Sequence, residues 1–267
     1  MANDGRLKVH ITGVYGLIGN LVYRHLSTQK DRYDVYGSGR RALHSNRIDE
    51  SAITPVPADR FTLADLSDAD AVTGALEGMD AVIHLGAVPD PDASFAVIQS
   101  SNITGTYNVL EACRNLGIKR LIYASSVMVT WGYWTYDEVY RAIRENRASD
   151  VPASIPKITI AHSVRPTDPY SASKVWGEGM CRTYADAHGI STVCLRIGWV
   201  NQQNATRNIA EQSYFFSHED AVNVIELALK ATEKPVFEIC FGMTDSPYRW
   251  VDIEHTRERL GYISRGK

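Results

Sequence analysis

Tyr170 and Lys174 stand four residues apart in the stretch DPYSASKVWGEGMCRTYADAH. The stretch reads as a helix from about 168 to 187, and a spacing of four puts both side chains on one helical face. A free phenol, with a pKa of about 10, is a poor base at neutral pH, but a neighbouring cation stabilises the phenolate and lowers that pKa. Tyr170 could then take a proton from a hydroxyl while hydride leaves the same carbon. YxxxK also occurs by chance in many helices, so this reading needs further support. Some 45 residues earlier, RLIYASS (120–126) ends an apolar run with two serines. Ser126 is the candidate for orienting a substrate oxygen and Ser125 for facing a cofactor, and the two could exchange roles.

A second chemical signal lies in ITGVYGLIGN, residues 11–20. Gly13, Gly16 and Gly19 follow an expected strand and open an expected helix, the context in which a glycine pattern becomes a dinucleotide fingerprint. Gly13 permits the turn, Gly16 lets backbone approach a pyrophosphate, and Gly19 lets helix pack on strand. The intervening Tyr15, Leu17 and Ile18 are counted with the cofactor contacts. The helix N-terminus offers free N–H groups and partial positive charge to phosphates. At the end of the second strand, where a carboxylate usually meets an NAD ribose, the chain reads GSGRR (37–41). Arg40 and Arg41 would give a 2′-phosphate charge-assisted donors. The expected cofactor is therefore NADP. NAD is the alternative, with Ser38 on the ribose and both arginines in solvent.

The elements that must position these groups follow from periodicity. Apolar β-rich runs recur at 7–12, 33–38, 81–87, 120–126, 191–198 and 236–242, and most are separated by stretches with helical spacing, including 218–232. Strand–helix alternation predicts an α/β fold, a doubly wound parallel sheet of Rossmann type, with strands apolar on both faces. At 267 residues, without repeat or linker, the chain is expected to form one such domain, with 199–267 contributing a small substrate-binding part. Residues 131–166 interrupt the rhythm with a helix-like piece at 136–147, and are either a lid or binding segment or a surface excursion with its own aromatic cluster. The formal charge of −3 offers no field to gather nucleic acid or anionic lipid, leaving a small molecule as the partner. Cys113, Cys181, Cys194 and Cys240 fall singly, with neither metal-ligand nor disulfide spacing. No apolar run reaches the roughly 18 residues of a membrane span, and the polar start MANDGRLKVH leads straight into a strand, so a cytoplasmic location is expected.

With ADL (64–66), HLGA (84–87), NITGTYNVLEAC (102–113), YASS (123–126) and YSASK (170–174), the GxxGxxG spacing resembles the extended short-chain dehydrogenase/reductase superfamily, the epimerase/dehydratase family. The resemblance implies that Asp65 caps the adenine amino group beside Leu66, although Asp65 could also cap the following turn. It also implies that Leu85, Gly86 and Ala87 run along the adenosine ribose, that Lys174 holds the nicotinamide ribose, and that Ile197 lines the nicotinamide pocket. Only about 93 residues follow Lys174, little for a nucleotide-sugar pocket, so net oxidation or reduction of a small substrate is expected over epimerisation or dehydration. A cofactor-binding sensor without turnover is the other alternative, but an intact Ser126, Tyr170 and Lys174 speak against it.

RIG, YFFSHEDAVNVIELAL (214–229) and the terminal LGY are similar to uronate dehydrogenases and related sugar dehydrogenases, which oxidise an anomeric hydroxyl to a lactone. The pattern departs at the substrate positions. Ser126, Val127 and Met128 replace a Ser-Asn-His run, Pro89 and Trp199 replace serines, and only Arg207 is left as a carboxylate partner. Each unmatched buried polar group would cost roughly 1–3 kcal/mol, so a less polar substrate is expected, held by Val127, Met128, Trp131, Trp134 and Trp199. Trp131 and Trp134 could instead simply pack the 131–166 segment. The resemblance further implies a homodimer joined through helices near 94–116 and 168–187.

Overall fold

The computed structural model describes residues 5–231 and 237–266. The start of the expected strand 236–242, the end of the expected helix 218–232 and residues 1–4 lie outside them. The strands are β1 (Leu7–Thr12), β2 (Tyr33–Gly39), β3 (Phe61–Leu63), β4 (Ala81–His84), β5 (Arg120–Ser126), β6 (Ser191–Ile197) and β7 (Phe237–Gly242). They form one sheet in the order β3-β2-β1-β4-β5-β6-β7, every pair parallel. The order reverses between β1 and β4, which opens a crevice at their carboxyl ends.

The crossover helices are α1 (Leu17–Ser27), α2 (Ala69–Leu76), α3 (Phe95–Ile98), which continues through a π-helical turn into α4 (Gly105–Leu116), and, further on, α7 (Pro169–His188) and α9 (His218–Lys230). The central strands are largely buried on both faces, with Ala81, Val82 and Ile83 of β4 and Leu121, Ile122 and Tyr123 of β5 fully covered, as a sheet between two helix layers requires. Phe95, Val97 and Tyr107, on the α3–α4 helix, are exposed.

α7, which carries Tyr170, is sharply delimited. Asp168 accepts from the Ser171 amide at 2.8 Å while the Ser171 hydroxyl accepts from the Asp168 amide at 3.1 Å, a reciprocal capping box. Pro169 opens the helix and Gly189, at φ 65°, closes it. The expected strand 81–87 stops at His84, because the chain there turns to bring Gly86 against Gly13.

The helix expected over 136–147 is instead two short pieces, α5 (Trp131–Tyr136) and α6 (Arg141–Arg144). Between them Asp137 is extended and held by Arg165 at 2.7 Å, which breaks the helix. This segment is packed in place: Trp134, Tyr140 and Ile143 are buried, and Ile158 bridges to Val251. The remaining helices are α8 (Ile209–Gln212) and α10 (Glu254–Leu260).

Candidate active site

The β1–α1 turn is shaped by close backbone approach. Gly13 has φ 69°, and a Cβ there would lie 2.8 Å from the Gly86 Cα; a Cβ on Gly19 would run into the Gly13 carbonyl. Gly16 precedes α1 in extended conformation with no side-chain cap, and the first turn of α1 carries no acidic residue. The first amides of an eleven-residue helix thus meet the crevice uncapped and beside no negative charge, which suits a diphosphate. Opposite them, the Thr12 hydroxyl accepts from the Gly86 amide at 3.0 Å and pairs with His84 Nδ1 at 2.8 Å, while His84 Nε2 meets Thr106 Oγ1 at 3.1 Å. Thr12 donating to Nδ1, with Nε2–H donating to Thr106, satisfies every partner. Burial, with Lys174 adding to it, lowers the His84 pKa to about 3, so the ring stays neutral.

At the end of β2, Ser38, Gly39, Arg40 and Arg41 line the same cavity. Ser38 is buried and its hydroxyl pairs with His10 Nε2 at 2.8 Å, which ties it to the sheet. A Cβ on Gly39 would meet nothing nearer than 3.5 Å, so an acidic side chain there is missing without steric necessity. Asp65 Oδ1 accepts from the Ser67 amide and hydroxyl at 2.9 and 2.8 Å. These bonds hold its carboxyl below the usual range, and the Arg40 charge adds a smaller effect.

Ser126, Tyr170 and Lys174 are carried by β5 and α7. Ser126 Oγ accepts from the Met128 amide at 3.2 Å and faces the Tyr170 phenol. Lys174 Nζ donates to the Ala124 carbonyl at 2.8 Å and lies 5.9 Å from the Tyr170 ring centre. Burial pushes the Tyr170 pKa up and Ser126 works against it. Burial also brings Lys174 down to about 8, against the pull of Cys181 and Glu178. The expected depression of the phenol by Lys174 is not seen: burial dominates, and the groups that lower the Tyr170 pKa are Ser126 and, more weakly, Arg47. Ser125 also lines the cavity, but its hydroxyl donates to Glu178 at 2.6 Å, and Glu178 is gripped by Arg196 at 2.9 and 2.8 Å.

One cavity of about 720 Å³ joins all of this. Its lining includes Gly13, Tyr15, Gly16, Leu17, Ile18 and Gly19, then Arg40, Arg41, Asp65, Leu66, Leu85, Gly86, Ala87, Pro89, Ser125 and Ser126, and finally Val127, Met128, Tyr170, Lys174, Ile197 and Trp199. Trp131 lines it too, whereas Trp134 stacks on Trp250 at 5.8 Å inside the core. Arg207, expected as a carboxylate partner, stands apart from this lining. Its Nε and its backbone amide bind the Glu211 carboxylate at 2.9 and 2.8 Å, its side chain is 83% exposed, and it does not line the cavity. Glu211 is almost buried and recruits the nearest cation as its counter-charge. Glu238, Cys240 and His255 gather away from the cavity, but Glu238 is already paired with His255 and Arg259.

A model of the NAD dependent epimerase/dehydratase family matches residues 9–201. The chain belongs to that family. Among its relatives, the NAD-dependent glucose-6-phosphate dehydrogenase of Haloferax volcanii is 30% identical over 260 residues, which cover 95% of this chain and 91% of that protein. The uronate dehydrogenase of Pseudomonas putida is 31% identical over 255 residues, covering 96% and 82%. The crystal structure of uronate dehydrogenase from Agrobacterium tumefaciens superposes with a TM-score of 0.78 at 25% identity, over 98% of this chain and 85% of that one. This epimerase/dehydratase member is therefore a nicotinamide-dependent enzyme of Rossmann fold.

Several residues of its site escaped the sequence reading. Asn102, fully buried, accepts from the Val88 amide at 2.8 Å and donates to Ser173 at 3.2 Å, which ties the loop after β4 to α7. Glu178 lies one helical turn past Lys174, so the spacing rule that found Tyr170 also reaches it. Thr12, His84 and Arg196 sit in apolar strand runs, where the sequence does not show which side chains they meet. Arg47 and Tyr214 reach the cavity from loops.

Proposed function

We propose that this protein transfers hydride between a nicotinamide cofactor and a small sugar-like or other secondary alcohol or its carbonyl, with Tyr170 as acid/base. One observation carries this reading: Ser126, Tyr170 and Lys174 open into the same cavity as the glycine turn. Ser126 holds the substrate oxygen, and Tyr170 takes its proton in oxidation or returns it in reduction. Lys174, anchored on Ala124, keeps an ammonium beside the phenol as the proton moves. The bound cofactor supplies the hydride acceptor or donor. A cavity of about 720 Å³ lies within the roughly 300–1,000 Å³ of ordinary ligand sites, which leaves a modest volume beside a dinucleotide. The names of the relatives, dehydrogenases of glucose 6-phosphate and of uronates, support sugar oxidation as the reaction class.

NADP is the proposed cofactor. Arg40 and Arg41 line the adenosine end, no acid stands at Gly39, and the Ser38 hydroxyl is engaged by His10. One relative, the L-arabinose 1-dehydrogenase of Haloferax volcanii, is named for both NAD and NADP. The test is incubation with each oxidised cofactor and a panel of aldoses, sugar acids, sugar phosphates and secondary alcohols, following the absorbance of reduced nicotinamide. Reduction of the cofactor by at least one panel member is expected. Isomerised product without net cofactor change, or no reaction across the panel, would contradict the proposal.

A further inference from the structure

The loop between β2 and β3 is rooted on the glycine turn. The Ser45 amide donates to the Tyr15 carbonyl at 2.9 Å, the Val56 amide donates to the Tyr15 hydroxyl at 3.2 Å, and Asn20 of α1 exchanges two hydrogen bonds with the Thr54 backbone at 2.8 and 2.9 Å. Ile48 is buried beneath the loop. From this base Arg47 extends to the other bank of the crevice, where its Nη2 donates to the Pro89 carbonyl at 3.4 Å. The two banks belong to strands on opposite sides of the switch point, since the loop follows β2 and Pro89 follows β4. Arg47 lines the cavity, and among the described residues no carboxylate lies within ion-pair distance of it. The other cavity cations are placed elsewhere: Lys174 is buried on Ala124, and Arg40 and Arg41 follow β2 directly.

We propose that Arg47 is a clasp that closes over a bound dinucleotide and holds its diphosphate from the side opposite the glycine turn. A diphosphate held on the α1 amides would have oxygens to spare for a second donor, and a guanidinium presents a matching planar fork. The charge of Arg47 also acts on the Tyr170 phenol, as the smallest of the influences on it, in the direction of the phenolate. The clasp is easily opened. Its one hydrogen bond across the crevice is long, and the side chain has no acidic partner to leave. A dehydrogenase that releases its cofactor at every turnover needs such a contact, strong with the diphosphate present and weak without it. This goes beyond the proposed reaction, because retention of the dinucleotide is independent of which substrate is oxidised.

Fluorescence titration and stopped-flow displacement of reduced NADP and NADH, with no substrate present, test the proposal directly. Arg47→Gln is expected to weaken both cofactors by the same factor, about tenfold, mostly through faster dissociation. The melting temperature of the cofactor-free protein should not change, since Arg47 is exposed and supports no packing. Arg47→Lys, which keeps the charge but loses the fork, should recover part of the affinity. Dissociation constants within twofold of the wild type for both cofactors would overturn the clasp. So would a loss confined to NADP, which would assign Arg47 to the 2′-phosphate instead. Neither result depends on turnover, so failure of the clasp is separable from failure of the dehydrogenase reading.

Discussion

Tyr170 sits under opposed influences: burial, and more weakly Asp168, raise its pKa, while Ser126 and Arg47 lower it. Its spacing from Lys174 was readable in the sequence, because i,i+4 geometry needs only a helix; the balance of desolvation against charge was not, because burial is a property of the whole fold. Arg207 carries a related lesson. Its partner Glu211 is also four residues away, so this pairing was legible locally in the same way. Arg40 supports a prediction at the same scale. If its guanidinium meets a 2′-phosphate, Arg40→Ala should weaken NADP by about tenfold or more and leave NAD nearly unchanged. Equilibrium titration with both cofactors checks this, and an unchanged ratio of dissociation constants would remove Arg40 from the role.

The elements that were legible are those with a long periodic signal. Strands β1, β5 and β6 and helix α7 lie within a residue of their expected ends, and α7 also carries a capping box. β3 was missed because three residues with Leu63 exposed show no alternation, and the helix over 136–147 was misplaced because Arg165, distant in sequence, holds Asp137 extended. α7 and β6 are joined by the buried Glu178–Arg196 pair, with side chains 7% and 3% exposed. Removing one member of such a pair leaves an uncompensated buried charge, at a cost of about 3–5 kcal/mol. Glu178→Ala should therefore lower unfolding stability by that order in urea titrations, and adding Arg196→Met should restore much of it. Because Glu178 also holds Ser125 next to Ser126, the single variant should lose turnover as well as stability. A single variant as stable as the wild type would show that the pair is not the joint between helix and strand.

Across the molecule, the sheet order places His10 and His84 beneath the switch point, buried and neutral, with pKa values lowered by burial to about 4 and about 3. In the unfolded chain both titrate near 6.5. Between about pH 6.5 and 5 the unfolded state therefore binds protons that the native state refuses, and stability falls on acidification by up to about 1.4 kcal/mol per pH unit for each histidine. Urea titrations at pH 7, 6 and 5 should show this fall, and His10→Gln should show a shallower one; a flat profile would mean the rings are protonated in the fold. At the same scale the cavity divides its work between two stretches of chain. In the proposed reading the stretch through Ala87 serves the nucleotide and the stretch from Ser126 onward serves the reaction, and both line the cavity. Binding and chemistry should be separable. Measuring kcat and the cofactor dissociation constant together for Tyr170→Phe tests this most directly. Turnover should fall by about a thousandfold or more, in keeping with the loss of a general acid/base, with cofactor affinity within twofold of the wild type. Turnover retained to within about tenfold would contradict the assignment of the proton to Tyr170.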